Sequence, residues 1–447
     1  MAKLSRAGAC FRFRAAAWLT AGACAVCAAL AFAASPAGAL HKKTASATPP
    51  PVHATVPPAF TIPIEPLGFT APAPFYLGTR STLASLDFLD EDHLLFTFRV
   101  PGLIHRDHRE PIGSDDEERR VRAVVLALPS GTVQAEAVWS LHDRKRYLWM
   151  LDGGQYLLRD RNELKIGDAS LQPKPFLRFP GPVLWVEVDP NHKYFVTGSS
   201  EPPATASRAG EVPSPPTAAA ALVSDDPAPG AQPDLVLRIL SRDSGKVMLV
   251  SHVKSAIHLP INDDGYLATL RGNGKAWVVS LDRFDGGSTI LGSIDSVCSP
   301  MLDFLSPRAF LATTCESSGD PRIVAMTTGG HRLWESPGSG SSVWPVLVTG
   351  ADGSRLARET LTVSHGVNAF APIDTDDIKG QDVQVFDVAT GKVALRALAS
   401  PPFDVGGNVA VSPSGRRVSI IMSDGIQVFD LPAPPALPPD PPASSKH

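Results

Sequence analysis

The chain has 447 residues and is short of the patterns that usually disclose an enzyme. It has no H-E-x-x-H and no metal-finger spacing, which removes the common zinc sites. It has no G-x-x-x-x-G-K-[ST] loop to cradle phosphates and no G-x-S-x-G elbow to expose a nucleophilic serine. It lacks an excess of positive charge. Its 41 Lys and Arg stand against 45 Asp and Glu, a formal net charge of −4. Nothing neutralises phosphates in bulk, so nucleic acid is excluded as a partner class. After the N-terminal leader, no window longer than about a dozen residues holds a clean 3.6-residue apolar period, which argues against long amphipathic helices.

Proline, by contrast, is abundant: 43 Pro accompany 36 Gly. That is roughly twice the usual share of proline. Proline breaks helix interiors, and without a strict Gly period the composition is not collagen-like. Hydrophobic residues make up 43% and charged residues 19%. The chain can therefore bury a core and is not globally disordered.

The N-terminus reads as an export leader over residues 1–39. Lys3, Arg6, Arg12 and Arg14 form a basic region, and Ala15–Ala34 is uncharged and apolar. Ala31-Phe32-Ala33 and Ala37-Gly38-Ala39 both fit the small-residue cleavage pattern. If uncleaved, the apolar run is long enough to anchor the chain in a bilayer. The expected location is the periplasm or the extracellular space, with an N-terminal membrane anchor as the alternative. Cys24 lacks the Leu or Val three residues earlier that a lipoprotein signal would carry. Cys24-Ala-Val-Cys27 falls inside the leader and carries no redox or metal reading. Removing the leader's four basic residues takes the net charge from −4 to −8 and leaves Cys298 and Cys315 as the remaining cysteines.

Three further segments are rich in proline. Residues 40–58 read as an extended Pro/Ala/Thr linker, 201–233 as a disordered insertion, and 432–447 as a disordered tail. The domain proper is 59–431. Within it, short runs of Val, Ile, Leu, Phe and Tyr alternate with polar residues and stop at Asp, Gly, Pro or Ser, the signature of antiparallel strands.

The runs repeat. A strand–turn–strand unit occurs at Leu83–Phe98, Tyr147–Leu158, Val183–Thr197, Ile257–Leu270, Pro300–Thr313, Val343–Arg358 and Val405–Ile421. A second hairpin often follows, as in Val121–Glu136, Asp234–Val250 and Gln381–Arg396, with a looser copy at Arg322–Trp334. Two hairpins make four strands, and four strands at this period make one blade of a propeller. The expectation is an all-β ring of seven blades, with eight as the alternative and a sandwich or two β domains as the competing fold. The last blade reads as one strand short, since it stops after Ile426–Leu431. A strand near Phe60–Phe69 is expected to complete it and close the ring.

The turns Asp243-Ser-Gly-Lys246 and Asp387-Val-Ala-Thr-Gly-Lys392, with Ser412-Pro-Ser-Gly415 and Val428–Leu431, resemble WD40/YVTN-type β-propeller repeats of an exported bacterial type, although the Trp-Asp dipeptide is absent. The resemblance covers most of residues 80–431. It implies a ring of seven or eight blades and no particular activity, because such rings host scaffolds, binding proteins and several enzyme classes.

Cys298 and Cys315 flank a hairpin whose turn lies near Ser306-Pro307, midway between them. Opposed strand residues carry their Cβ atoms about 4.5–5.5 Å apart, close to disulfide range. A disulfide is expected there, and two unpaired buried thiols are the alternative. The loop Leu103–Arg120 gathers His105, Asp107, His108, Asp115, Asp116, Glu117 and Glu118, but in no metal-binding spacing. A solvated charged loop is the preferred reading. His105-Arg-Asp107 lacks the Asn and the Gly-rich partner of a kinase catalytic loop. Asp374, Asp376, Asp377 and Asp382 fail the EF-hand pattern and read as an acidic turn. Arg271-Gly-Asn-Gly-Lys275 is a hairpin turn. Tyr147, Trp149 and Tyr156 read as packing between blades ahead of a peptide or sugar surface, and Trp139, Trp185, Trp277, Trp334 and Trp344 fit the same role.

No catalytic, cofactor or metal residue is assigned, and no cofactor is expected. The preferred function is a non-catalytic exported propeller, expected as a monomer, that binds another protein, an envelope component or a ligand on one face. One alternative is a propeller enzyme, a lactonase-like hydrolase or quinoprotein-type dehydrogenase, with its site gathered from several blades. The absence of a regular Trp-Gly motif weakens the quinoprotein form. The other alternative is a structural envelope-associated protein.

Overall fold

Alternating apolar runs bounded by turn residues become strands because one or both faces must be buried while the backbone pairs sideways. The computed structural model describes residues 54–71, 84–100, 105–106, 117–142, 146–201, 234–316, 321–338, 342–364, 375–399, 402 and 407–439. Its strands form seven antiparallel sheets, and the protein is a seven-bladed β-propeller rather than an eight-bladed one.

From the axis outward, blade 1 comprises Ala84–Phe88, His93–Arg99, Glu117–Ala127 and Thr132–Leu141. Blade 2 comprises Leu148–Met150, Tyr156–Asp160, Glu163–Gly167 and Lys174–Arg178, and blade 3 Val183–Val188, Tyr194–Glu201, Asp234–Ser241 and Val247–Val253. Blade 4 holds three strands, Gly265–Arg271, Ala276–Arg283 and Ser288–Asp295, and its innermost position is reduced to a bridge between Ile261 and Tyr266. Pro260 beside Ile261 supplies no N–H for a longer ladder. Blade 5 comprises Met301–Ser306, Ala309–Thr313, Arg322–Thr327 and Arg332–Pro337, and blade 6 Ser342–Thr349, Arg355–Val363, Ile378–Asp387 and Val393–Ala399. Blade 7 is built from Val409–Val411, Arg417–Met422 and Gly425–Asp430, and its outermost strand is Phe60–Ile62. Phe60 pairs with Val428 and Ile62 with Ile426. The ring therefore closes as expected, by the N-terminal strand completing the last blade.

Seven hydrophobic clusters lie in the seams between neighbouring blades. Leu86, Phe96 and Phe98 of blade 1 meet Ile62, Ile421 and Val428 of blade 7. Val409, Ile420 and Phe429 of blade 7 meet Val383, Leu395 and Ala397 of blade 6. The aromatic residues serve the seams: Tyr147, Trp149 and Tyr156 are all buried, and Trp139 and Tyr156 sit with ring centroids 5.4 Å apart.

In blades 1, 4, 6 and 7 the first turn begins with a short polar residue that caps its own backbone. Asp90 accepts from the Asp92 N–H at 2.8 Å, Asn262 from Asp264 at 3.0 Å, Asp352 from Ser354 at 2.9 Å and Ser412 from Arg417 at 3.1 Å. Such side chains satisfy backbone groups that the ladder leaves unpaired. In blades 3 and 6 the third turn uses a left-handed glycine, Gly245 and Gly391, with φ of 63° and 70°. Because successive strands alternate in direction, first and third turns gather at one end of the ring. Second turns and blade-to-blade connections gather at the other. The connections 100–116, 202–233 and 364–377 all leave from that second end.

Two proline-rich segments differ from their sequence-based expectation. In the linker, Ala54 and Val56 pack against the seam of blades 6 and 7. In the tail, Leu437 packs against the seam of blades 5 and 6. Each segment carries an apolar residue among its prolines, and a chain that proline already holds extended loses little entropy on docking. The leader 1–39, most of the linker, the insertion from residue 202 to 233 and the tail beyond Pro439 lie outside the described residues.

Candidate functional site

The innermost strands of the blades surround a central cavity of about 560 Å³. Each blade contributes a few residues, because only the short inner strand of a blade reaches the axis. Phe88, Phe304, Leu347 and Val411 give the wall apolar area, and Asp87, Arg146, Glu187, His258 and Asp303 give it charge.

Asp87 and Arg146 form the first charged group. Burial raises the Asp87 carboxyl above its usual range, while a hydrogen bond from Ser85 and the charge of Arg146 oppose that rise. Arg146 donates from Nε to the Leu148 carbonyl at 3.1 Å and stands over the Trp149 ring, 5.4 Å from its centroid. This cation–π contact fixes the guanidinium plane. Among the described residues Arg146 makes no other hydrogen bond, so its terminal nitrogens are available to the cavity. Arg159 approaches the same indole at 5.8 Å and donates to the Leu184 carbonyl at 2.9 Å.

The second group joins three blades. His258 Nδ1 faces Glu187 Oε1 at 2.9 Å. Its Nε2 faces the Leu302 carbonyl at 2.6 Å and Asp303 Oδ1 at 3.2 Å. The other Glu187 oxygen accepts from the Leu259 N–H at 3.0 Å. Both ring nitrogens point at acceptors, so both must donate, and the ring is an imidazolium. Burial alone would lower its pKa. The hydrogen bonds and charges of Asp303 and Glu187 outweigh that and push it up to about 11. A histidine held this way is a fixed cation and not a proton acceptor near neutral pH.

Asp189 and His192 belong to the first turn of blade 3 at the cavity's edge. Asp189 accepts from the Tyr194 N–H at 2.6 Å and the Asn191 N–H at 3.0 Å. Burial outweighs those bonds and pushes its pKa up to about 6. Burial also lowers the His192 pKa against the charge of Asp152. Arg242 of blade 3 bonds Asp152 and Gln155 of blade 2 and locks the two turns together.

The residues singled out in the sequence lie elsewhere. Cys298, on the connection from blade 4, is joined to Cys315 at the end of the second strand of blade 5, with a Cα–Cα distance of 5.5 Å. The hairpin between them pairs Met301 with Thr313 and Phe304 with Phe310. Neither cysteine lines the cavity. Asp382 pairs with Arg396 at 2.9 Å, and Asp377 accepts from Ser364 at 2.9 Å, so the acidic residues are drawn to separate partners. Asp374 lies outside the described residues, as do Asp107, His108, Asp115 and Asp116. His105–Arg106 is a short strand paired with Glu117–Glu118, which makes that part of the charged loop a hairpin. Arg271–Lys275 is the turn between the first two strands of blade 4's sheet. Among the described residues no group of three or more His, Cys, Asp or Glu is arranged to hold a metal ion.

The cavity residues belong to no motif in the sequence. Asp87, Arg146, Glu187, His258 and Asp303 come from four different strand repeats and one connection. The one available clue was a charged residue at the inner-strand position of a repeat, where the other repeats carry an apolar one.

No protein-family model matches the chain, and no curated protein sequence matches it. Solved structures do resemble it. An acylaminoacyl peptidase from Pyrococcus horikoshii aligns at 10% identity and a TM-score of 0.44, over 79% of this chain and 52% of that one. The chain thus spans about half the length of that peptidase. The β-propeller domain of the Trilobed protease from Pyrococcus furiosus aligns at 10% identity and 0.42, over 78% and 96%. The Swd1 β-propeller domain of Myceliophteria thermophila aligns at 12% and 0.37, over 79% and 97%. At these identities the likeness is one of fold alone.

Proposed function

We propose that this chain is an exported, non-catalytic binding propeller whose central cavity receives a small ligand. The observation that carries the reading is the His258 clamp. The histidine at the centre of the three-blade charged group is held as a cation between Glu187 and Asp303. The other central carboxylate, Asp87, is engaged by Ser85 and Arg146. Among the described residues the lining contains no serine, cysteine or lysine to serve as a nucleophile. What the cavity does offer is a guanidinium fork on an aromatic platform, opposite apolar wall. That pair suits a compact ligand with a carboxylate or similar anionic group and an apolar body. Export rests on the leader at residues 1–39.

The test is a thermal-shift and calorimetric survey of the purified protein with aromatic and aliphatic carboxylates, repeated on Arg146→Ala. Saturable binding that Arg146→Ala weakens tenfold or more supports the reading. Robust turnover of a lactone, ester or quinone-dependent substrate would overturn it. N-terminal sequencing of the protein recovered outside the cytoplasm tests export, with a start shortly after Ala33 or Ala39 expected.

A further inference from the structure

The segment Pro432–Pro439 leaves blade 7 and runs across the short-turn end of blades 6 and 5. Arg355 donates from Nη2 to the Pro432 carbonyl at 2.8 Å. Arg308 donates from Nη2 to the Pro438 carbonyl at 3.2 Å. Between these two points, Leu437 packs against the cluster formed by Leu305, Ala309, Leu356 and Val388.

The chemistry of the two sides matches. A proline-rich segment has few N–H donors, and its extended backbone leaves its carbonyls free. The ring presents two arginine donors along the path. Arg355 is only 2% exposed and is held by Asp387 at 2.7 Å, so its position is set before the segment arrives. A buried guanidinium needs an acceptor for its Nη2 as well, and the Pro432 carbonyl supplies one. The aliphatic residue followed by proline supplies the anchor.

We propose that this groove is a receptor site for proline-rich segments bearing an aliphatic residue followed by proline, and that the chain's own Pro432–Pro439 occupies it in cis. A partner protein carrying such a segment competes with the intramolecular one. The tail is then a tethered ligand that sets the threshold for the external one. The effective concentration of a segment tethered this closely is of millimolar order. This site shares Leu305 with the wall of the central cavity, but its test does not depend on what the cavity binds.

The experiment uses a fluorescein-labelled peptide of the sequence Pro432–Pro439, followed by fluorescence anisotropy up to millimolar protein. Three proteins are compared: the unaltered chain, a variant ending at Leu431, and a full-length Leu437→Asp variant that keeps the tail but releases it. Both variants are expected to bind the peptide saturably and at least tenfold more tightly than the unaltered chain. A peptide with Asp in place of the Leu is expected to lose at least tenfold, and adding Arg308→Ala to Leu437→Asp is expected to weaken binding several-fold. Equal binding by the unaltered chain and the variants would overturn the proposal. So would no binding to a variant that retains the unaltered circular dichroism and thermal transition. Equal binding of a proline peptide without the aliphatic residue would also overturn it. If the shortened variant does not fold, Leu437→Asp decides the question alone.

Discussion

Thr55 and Arg396, 341 positions apart in sequence, exchange two hydrogen bonds. The Thr55 N–H donates to the Arg396 carbonyl at 2.9 Å, and the Arg396 N–H donates to Thr55 Oγ1 at 2.9 Å. A few residues later the same segment becomes the outer strand of blade 7. The N-terminal segment thus ties two consecutive blades, and the tie should be measurable. Thr55→Ala is expected to cost about 1 kcal/mol, the usual net worth of such a bond. Ile62, 3% exposed in the seam of blades 7 and 1, is expected to cost about 2–4 kcal/mol when changed to Ala. Urea unfolding of both variants checks this. A loss at Ile62 no greater than at Thr55 would show that closure contributes little.

Gly391 turns between the outer strands of blade 6 with φ of 70°. A Cβ there would lie 2.5 Å from Cγ of Trp334 in blade 5. That indole stacks on Phe386 at 5.6 Å and donates from Nε1 to the Val388 carbonyl at 2.7 Å, so it has little room to retreat. Gly391→Ala combines an unfavourable backbone region with a clash and is expected to cost more than about 2 kcal/mol. Gly274→Ala is a control, since it shares a positive φ of 63° with nothing within 4 Å of its Cβ. It should cost about 1 kcal/mol. Thermal unfolding of the pair separates strain from clash.

His258 should hold its proton throughout the neutral range. Its folded pKa is raised to about 11, so the stability it contributes is complete below the unfolded value of about 6.5 and fades as pH climbs toward 11. The stability gap between the unaltered protein and His258→Gln should therefore narrow with rising pH. Imidazole signals in NMR spectra should show no titration of His258 between pH 6 and 9. A midpoint inside that range would remove the argument that the ring is a fixed cation.

Asp189 should behave in the opposite sense to an ordinary paired carboxylate. Its folded pKa is raised from 3.8 to about 6. Between those values the native state holds a proton that the unfolded chain has released, so stability from this group falls as pH rises from about 4 to 7. Unfolding free energies of the unaltered protein and Asp189→Asn, measured from pH 4 to 7.5, are expected to lie close together near pH 4 and to separate toward the upper end of that window, with the unaltered protein the less stable. A gap independent of pH would contradict the assignment.

The Cys298–Cys315 bond closes a loop with a sequence separation of 17. Chain-entropy arguments give about 3 kcal/mol for a loop of this size. Replacing both cysteines with serine should lower the thermal midpoint by several degrees, and reductant should do the same to the unaltered protein and nothing to the variant. Non-reducing mass spectrometry should find no free thiol at either position.

The ring was readable before its site was. Val405–Ile421 shows two apolar runs around Ser412–Gly415, and that local pattern is what the strands Val409–Val411 and Arg417–Met422 require. Closure was readable because blade 7 lacked a fourth strand while Phe60–Ile62 was left over. The blade 4 bridge at Ile261 was less legible, since Ile257–Leu270 has the apolar content of a hairpin and only its Pro260 argues against a full inner strand. The cavity was not legible at all. His258 finds Glu187 71 positions away, and the pairing depends on the rotation from one blade to the next. No spacing rule along the chain encodes that rotation. The docked tail was missed for a related reason: proline content speaks for an extended backbone, not for whether a surface waits to receive it.

The pairing of Phe60 with Val428 also sets an order of events. Within the ring, the strand that completes it precedes all the other blade strands in the chain, and its partner lies in the last blade. Throughout synthesis that strand has nowhere to go, and blade 1 has an open flank. Each intermediate blade can settle on its predecessor as it emerges, but the final seam waits for the whole domain. The proposed export fits such a delay: for a chain crossing a membrane unfolded, the step that locks the ring would come after the last blade has passed.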